Sequence, residues 1–278
     1  MKLEDRMLYY RGLTDYKLMP KSYVMVMLDG RSFSTFTKKY FKEKPYSGRF
    51  NDMMDETAKY VCENVSGCKL AYVQSDEISL VLTDFENINT QPFFGYRLCK
   101  MQSIITSLAT VIFNRLLIKD YLYNNLTGEE IFHILTDEKT IPFCQFDCKC
   151  WNLPSYDEVF NWFLYRQRDG IRNSKQMFAQ AYLPHNRVQG LTTDEQIELV
   201  YKEYGVDWSL EVEKDQQFGR FIYKEQVEIN GLDGEKCIRN RWTIHNANPL
   251  EAKPYTFFLG EDYNGREWFD KLNVIPKM

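Results

Sequence analysis

The sequence predicts an α+β fold: a ferredoxin-like β-α-β-β-α-β domain followed by C-terminal helices and a β-hairpin. Three observations carry that prediction. Two β-type runs, Leu70–Val73 and Ile78–Leu82, flank Gln74-Ser75-Asp76-Glu77 and read as a tight hairpin. A helix with an apolar stripe precedes this hairpin, and a longer one follows it. Two further apolar runs, one at each end of the region, supply the first and last strands.

In chain order, residues 1–20 read as a short helix or arm ending near Pro20. Ser22–Leu28 (SYVMVML) is apolar on both faces, as a central strand is, and Asp29-Gly30-Arg31 breaks it. Lys42–Gly48 reads as a loop. Phe50, Met53, Met54, Thr57, Ala58, Val61, Cys62 and Val65 then repeat at helical spacing, and Ser66-Gly67 ends that helix. After the hairpin, a polar loop, Asp84–Pro92, leads into a long helix over about Phe94–Ile118. Its stripe includes Leu98, Met101, Ile105, Leu108, Ala109, Ile112 and Leu116. A segment of variable character, Lys119–Lys139, precedes the strand Phe143–Leu153. This order puts Asp29 and Asp76 at one edge of an antiparallel sheet, on neighbouring strands.

Beyond Pro154 the pattern reads as helices at Asp157–Arg168, Gly170–Leu183 and Thr193–Tyr204. The last is capped by Thr192 or Thr193 with Gln196 behind it. Strands at Phe218–Ile229 and Cys237–His245 follow, joined at Asp233-Gly234. The tail, Asn246–Met278, is aromatic and irregular. Residues 1–153 are expected to be the catalytic part and 154–278 a helical and hairpin extension.

A hydrophobic content of 44% and an aromatic content of 15% are enough to build a core, which argues against disorder. No apolar run reaches membrane length, and the charged start MKLEDRMLYYRG has no signal-peptide h-region, so a cytoplasmic protein is expected. Seven cysteines without a framework read as reduced thiols. Cys144, Cys148 and Cys150 share a strand face, which suits either a small-residue core face or a zinc site. His133, His185 and His245 offer no ligand spacing. A net charge of −4 does not advertise nucleic-acid binding, although local patches decide that.

Two adjacent carboxylates at a hairpin turn are costly unless something positive sits there. A divalent metal is the usual answer, because Mg²⁺ takes one or two carboxylates plus substrate phosphates. Asp29 and Asp76 at matched strand ends suit a metal pair for phosphoryl transfer. The plainer alternative is a polar turn and a loop. The Gly30-Arg31-Ser32-Phe33-Ser34 turn exposes N–H groups and a cation to an anion. Lys44, Ser75, Arg97 and Lys100 are candidates for phosphate contacts. Each of these cations, taken alone, is more often a solvated surface charge.

The motifs LDGRSF, FKEKP, QSDEISLV, RLCKMQSIITS, FDCKCWNLP and FLYRQRDGIRNS occur in that order. Together they resemble the tRNA(His) guanylyltransferase family and its bacterial, archaeal and phage like-protein branch, from about Val26 to Arg220. The resemblance implies a polymerase-palm-like catalytic domain and a 3′→5′ nucleotidyltransferase acting at the 5′ end of tRNA. It implies two Mg²⁺ ions on Asp29, the Gly30 carbonyl and Asp76, with Glu77 beside them as a third catalytic acid. It further implies ATP and NTP substrates, with Lys44, Ser75 and Lys100 at positions that hold triphosphate, beside Gly30, Arg31, Ser32, Phe33, Ser34 and Arg97 read from the residues above. Lys149, Arg166, Gln167, Asp169, Arg172, Asn173, Lys175 and Arg187 fall on the expected tRNA side, and a homotetramer is expected.

The chain departs from the family at Lys149, which stands for Arg in an FDxR-like strand with Asp147, at Gly219-Arg220, where the match is loose, and at two points that bear on the substrate. Gly170-Ile171-Arg172-Asn173-Ser174 stands where the eukaryotic enzymes carry a His-Ile-Asn-Asn-type segment, and Ser34 stands where His is common. Both departures favour templated repair of 5′-truncated tRNA over strict guanylate addition to tRNA(His). Competing readings are a palm cyclase, a 5′→3′ polymerase or a silent RNA- or nucleotide-binding relative. The QSDE turn in place of GGDEF argues against the cyclase, and the intact buried acids argue against the silent relative.

Overall fold

The computed structural model describes residues 1–41, 43, 45–125, 143–230, 236–251 and 265–278. Lys44 and the expected turn at Asp233-Gly234 lie outside them, as does most of Lys119–Lys139.

Eight apolar-rich residues form β1 (Tyr23–Gly30). After it come α2 (Phe33–Tyr40), α3 (Gly48–Asn64), β2 (Cys68–Gln74), β3 (Glu77–Leu82), α4 (Leu98–Asn125) and β4 (Phe146–Leu153), with α1 (Leu3–Gly12) ahead of them. Next comes α5 (Tyr156–Tyr182), then short helices α6 (His185–Val188), α7 (Thr193–Tyr204), α8 (Trp208–Glu211) and α9 (Lys214–Phe218). The chain closes with β5 (Arg220–Asn230), β6 (Lys236–Asn246) and α10 (Gly265–Leu272).

The six strands form one sheet in the order β4-β1-β3-β2-β5-β6, with every described pairing antiparallel. Its first four strands have the expected ferredoxin-like order. β2 also pairs with β5 over Leu70–Val73, so the sheet continues into the C-terminal half.

One face packs against α2, α3 and α4 around Val26, Leu28, Met54, Ala58, Met101 and Ile105. The other packs against α5 and the elements after it, around Met25, Tyr72, Phe163, Phe221 and Phe269. Alternation along β1 explains the two-sided burial, because side chains at successive positions point to opposite layers.

Several expectations change in the structure. α2 occupies the stretch left without an assignment after Asp29-Gly30-Arg31. Asp157–Arg168 and Gly170–Leu183 are one continuous helix, α5, because Gly170 does not break it. A Cβ at Gly170 would lie 2.5 Å from the Gln74 side chain, so the glycine marks the crossing of α5 over the end of β2. Thr192 caps α7 as expected, but its reciprocal partner is Glu195 rather than Gln196. The tail contains α10. By length and apolarity alone, Leu98–Leu122 within α4 could cross a membrane. Its Met101, Ile105, Ala109 and Phe113 are fully buried against the sheet, as in a core helix. Cys148 and Cys150 stand beside Leu28 and Val26 on that same core face, with sulfurs 3.8 Å apart.

Candidate active site

Asp29 sits one residue before the end of β1, with Glu77 of β3 opposite it on one side and Asp147 of β4 on the other. Directly paired residues of an antiparallel ladder share a face. Three carboxylates therefore lie side by side on the α5 face of the sheet. Asp76 is in the two-residue turn before β3, and its carbonyl accepts a 3.2 Å bond from the Gly30 N–H. That bond fixes the β1 end against the hairpin turn. Two non-glycine residues beside these acids hold left-handed backbones, Ser32 at φ 60° and Ser75 at φ 53°. Conformations of this kind cost energy and gather at functional sites. At Gly30 a Cβ would lie 2.5 Å from the Phe33 ring, so glycine is needed for Phe33 to fold back into the core.

The acids are held in an unfavourable setting. Burial raises the Asp29 carboxyl, and the Asp147 charge raises it further, against the pull of Lys149 and Arg166. Asp76 is raised by burial and by the charge of Asp29. Glu77 is raised by burial, opposed by Arg166, with which it forms an ion pair. Arg166 also bonds Asp169 at 3.2 Å, and Asp169 in turn pairs with Arg172. The geometry thus ties Glu77 to the α5 arginine and leaves Asp29 and Asp76 as the acids without a strong counter-cation. Among the described residues no group of three or more ligating side chains forms a ready-made cage. Two hard carboxylates and the Gly30 carbonyl remain, a donor set that suits Mg²⁺ completing its shell with water and substrate phosphates.

A cavity of 740 Å³ adjoins this edge. Asp76, Ser75 and Gln74 line it from the hairpin, Ser34, Thr37 and Lys38 from α2, and Asn173 and Ser174 from α5. A volume of this size accommodates a small-molecule ligand. The first-turn N–H groups of α2 have no intrahelical acceptor, as at any helix start, and favour anions. Thr37 and Lys38 were missed from the sequence. Their signal was the spacing 34, 37, 38, which places them on one helix face with Ser34 while Phe33 and Phe36 are buried.

The remaining expected residues divide. Phe33, Ser34 and Ser75 are brought together at the cavity. Arg31 is turned to Gln145, bonding its side chain at 3.0 Å. Arg97 and Lys100 are not brought to the acids within the chain. A helix that follows β3 must start at the far end of that strand. Tyr16 and Leu18 bond the backbone around Arg97 there, and Arg97 pairs with Asp15. Lys149 is exposed and near enough to Asp29 to act on it. Asn173 lines the cavity, Arg172 is mostly exposed, and Arg187 pairs with Glu203.

Two of the expected tRNA contacts have polar partners within the chain. Gln167 is 1% exposed and spends its amide on the Phe218 and Asn248 carbonyls and the Leu250 N–H. Lys175 is buried, paired with Asp194 and set over the Trp208 ring.

The family model described as tRNAHis guanylyltransferase matches residues 5–154. An uncharacterised protein of Acanthamoeba polyphaga mimivirus is 29% identical, covering 82% of this chain and 79% of its own. The tRNA(His) guanylyltransferase of Candida glabrata is 27% identical over 78% of this chain and 89% of its own. Among solved structures, a bacterial tRNA(His) guanylyltransferase-like protein in complex with ATP superposes with a TM-score of 0.75. It is 30% identical, over 92% of this chain and 97% of that one. A bacterial protein of the same description in complex with GTP gives a TM-score of 0.68 at 30% identity, over 94% and 99%.

Proposed function

Because this chain belongs to the tRNA(His) guanylyltransferase family of nucleotidyltransferases, we propose that its task is the templated repair of 5′-truncated tRNA. Nucleotides would be added in the 3′→5′ direction, with the tRNA's opposite strand choosing each one by Watson–Crick pairing. The observation that carries this reading is the pair Asp29 and Asp76, fixed at adjoining strand ends, with a nucleotide-sized cavity beside Asp76. The capture of ATP and of GTP by the bacterial neighbours supports reading the cavity as a nucleotide site. Ser34 and Gly170-Ile171-Arg172-Asn173-Ser174 favour repair over guanylate addition.

The chemistry is a sequence of balanced phosphoryl transfers. An oxygen of the tRNA 5′-phosphate attacks the α-phosphorus of ATP, and pyrophosphate leaves. Alternatively, the tRNA arrives already carrying a 5′-triphosphate. The 3′-hydroxyl of the incoming NTP then attacks the activated 5′-phosphorus and displaces AMP or pyrophosphate. Where pyrophosphate is removed from the new end, water attacks the α-phosphorus of its 5′-triphosphate, pyrophosphate leaves and a monophosphate remains. Each step needs alignment and charge compensation, and the first two also need exclusion of competing water. Ser34, Thr37, Lys38 and the α2 N–H groups are placed to hold phosphates, and Lys149 and Arg166 keep positive charge beside Asp29. Mg²⁺ held by Asp29, Asp76 and the Gly30 carbonyl would compensate charge on the reacting oxygens.

Assembly as a homotetramer belongs to the same proposal. No residue of α1 is buried, and Leu3, Met7, Leu8, Tyr9 and Tyr10 are exposed on it.

The test offers two labelled substrates with Mg²⁺, ATP and the four NTPs: a tRNA lacking its first nucleotide and a full-length tRNA(His). Growth of the truncated tRNA by the single templated nucleotide is expected. Growth confined to one G on tRNA(His) would return the function to that of the guanylyltransferases named above.

A further inference from the structure

Three aromatic side chains form a line beside the carboxylates, running from the sheet outward. Trp151 stands on β4, an edge strand, two residues after Lys149 and on the same strand face. Its ring meets that of Trp162 on α5 edge-to-face, with centroids 4.6 Å apart. The Trp162 indole N–H donates a 3.2 Å bond to Ser79 Oγ of β3, which fixes the ring. Tyr165, one turn further along α5, lies 5.8 Å from Trp162. Arg166 sets its guanidinium against the Tyr165 ring, 5.2 Å from the centroid, while Glu77 and Asp169 hold that guanidinium in place.

Tyr165 is nonetheless 56% exposed. A lone exposed aromatic is ordinary on a protein surface. Tyr165 differs in being held from two sides and in its neighbours. It directly precedes the arginine bound to Glu77, whose strand partner is Asp29. Exposed Lys149 on β4 and exposed Arg172, two turns along the same face of α5, place cations near it. None of the three rings lines the cavity beside Asp76, so this surface serves a different group from the one that cavity takes.

The chemistry of templated addition indicates which group. A template strand that dictates growth at a 5′ end must run past that end, so the substrate brings an unpaired 3′ overhang to the acids. Proteins take up unpaired bases by stacking them on aromatic rings, with cations along the backbone. We propose that Tyr165 is the stacking platform for the unpaired base that follows the templating position in the RNA 3′ overhang. Stacked there, that base leaves the templating one free to pair. Lys149 and Arg172 are placed for the phosphates of the overhang. Stacking asks only for a π-face, so the platform accepts any base, as template-chosen addition requires.

This inference rests on the templated reading, and one set of RNAs tests the two separately. Each is a hairpin with a recessed 5′ end and a two-nucleotide 3′ overhang. The outer overhang position carries A, C, G, U, 2-aminopurine or an abasic site. With Mg²⁺, the wild type is expected to bind every base-bearing RNA about tenfold more tightly than the abasic one, and to quench 2-aminopurine emission. In Tyr165→Ala that ratio is expected to fall to about one and the quench to vanish, with thermal unfolding and affinity for the abasic RNA retained. Tyr165→Phe keeps the ring and is expected to keep both signals. A ratio that survives in Tyr165→Ala, a wild type without one, or a preference for a single base would overturn the platform. Extension of the same RNAs with ATP and the four NTPs reports on the templated reading. Templated extension without the ratio would leave that reading standing and remove the platform. The ratio without templated extension would remove that reading and leave a stacking surface for unpaired RNA. Failure of the wild type to bind any of the RNAs would overturn both.

Discussion

Asp29 and Asp76 are acids held where the fold alone gives them no benefit. Burial raises both, and each feels further negative charge, Asp147 for Asp29 and Asp29 for Asp76. A neutral isostere should therefore relieve strain while removing the chemistry. Asp76→Asn is expected to raise the melting temperature of the ligand-free protein in a differential scan and to abolish extension, a stability–activity trade-off read from one residue. Asp55 gives a separate pH signature. Burial outweighs the attraction of Arg220 and lifts its carboxyl from the usual carboxylate range to about 6. The folded state thus holds this proton more tightly than the unfolded one. The contribution is fully present below about pH 4 and is lost as pH rises through about 6, an effect of roughly 2–3 kcal/mol. Melting curves from pH 4.5 to 7 should show that fall in the wild type relative to Asp55→Asn, and a difference curve without slope would contradict it.

At the level of elements, legibility followed the reach of each signal. α3, α4 and the QSDE hairpin were readable because their apolar period is local and long. α2 was missed because it is only eight residues long and opens on Phe33-Ser34-Thr35-Phe36-Thr37, residue types of low helix propensity, although Ser32 is a usual N-cap residue. α5 was split because a glycine in mid-pattern reads as a stop, whereas Gly170 serves the helix–strand crossing. Gly170→Ala is expected to destabilise the protein by about 1–3 kcal/mol through overpacking against Gln74. Adding Gln74→Ala should recover part of that loss in a double-mutant cycle, and strict additivity of the two changes would count against a steric contact.

For the whole molecule, topology decided which expected residues meet. Asp29 and Asp76 could be paired from the sequence because β-α-β-β-α-β order brings those strand ends together. The same order sends Arg97 and Lys100 to the opposite end of the sheet, a consequence that motif spacing does not display. Gln167 and Lys175 looked like surface groups because burial of a polar side chain by distant segments leaves no local mark. The pairing of β2 with β5 left no local mark either. That pairing also bears on chain length. A fragment ending at Leu153 would leave β2 as an open edge and uncover the face that packs on α5. It is expected to associate, as size-exclusion chromatography beside the full chain would reveal; a monodisperse, cooperatively melting fragment would contradict the dependence of the first four strands on the rest.

The most direct test is single-turnover extension of a labelled, 5′-truncated tRNA by wild type, Asp29→Asn and Asp76→Asn, with circular dichroism confirming each fold. Loss of at least about 10³-fold in both folded variants is the expected result. Wild-type rates in either one would show that the acid pair at the strand ends does not carry the transfer.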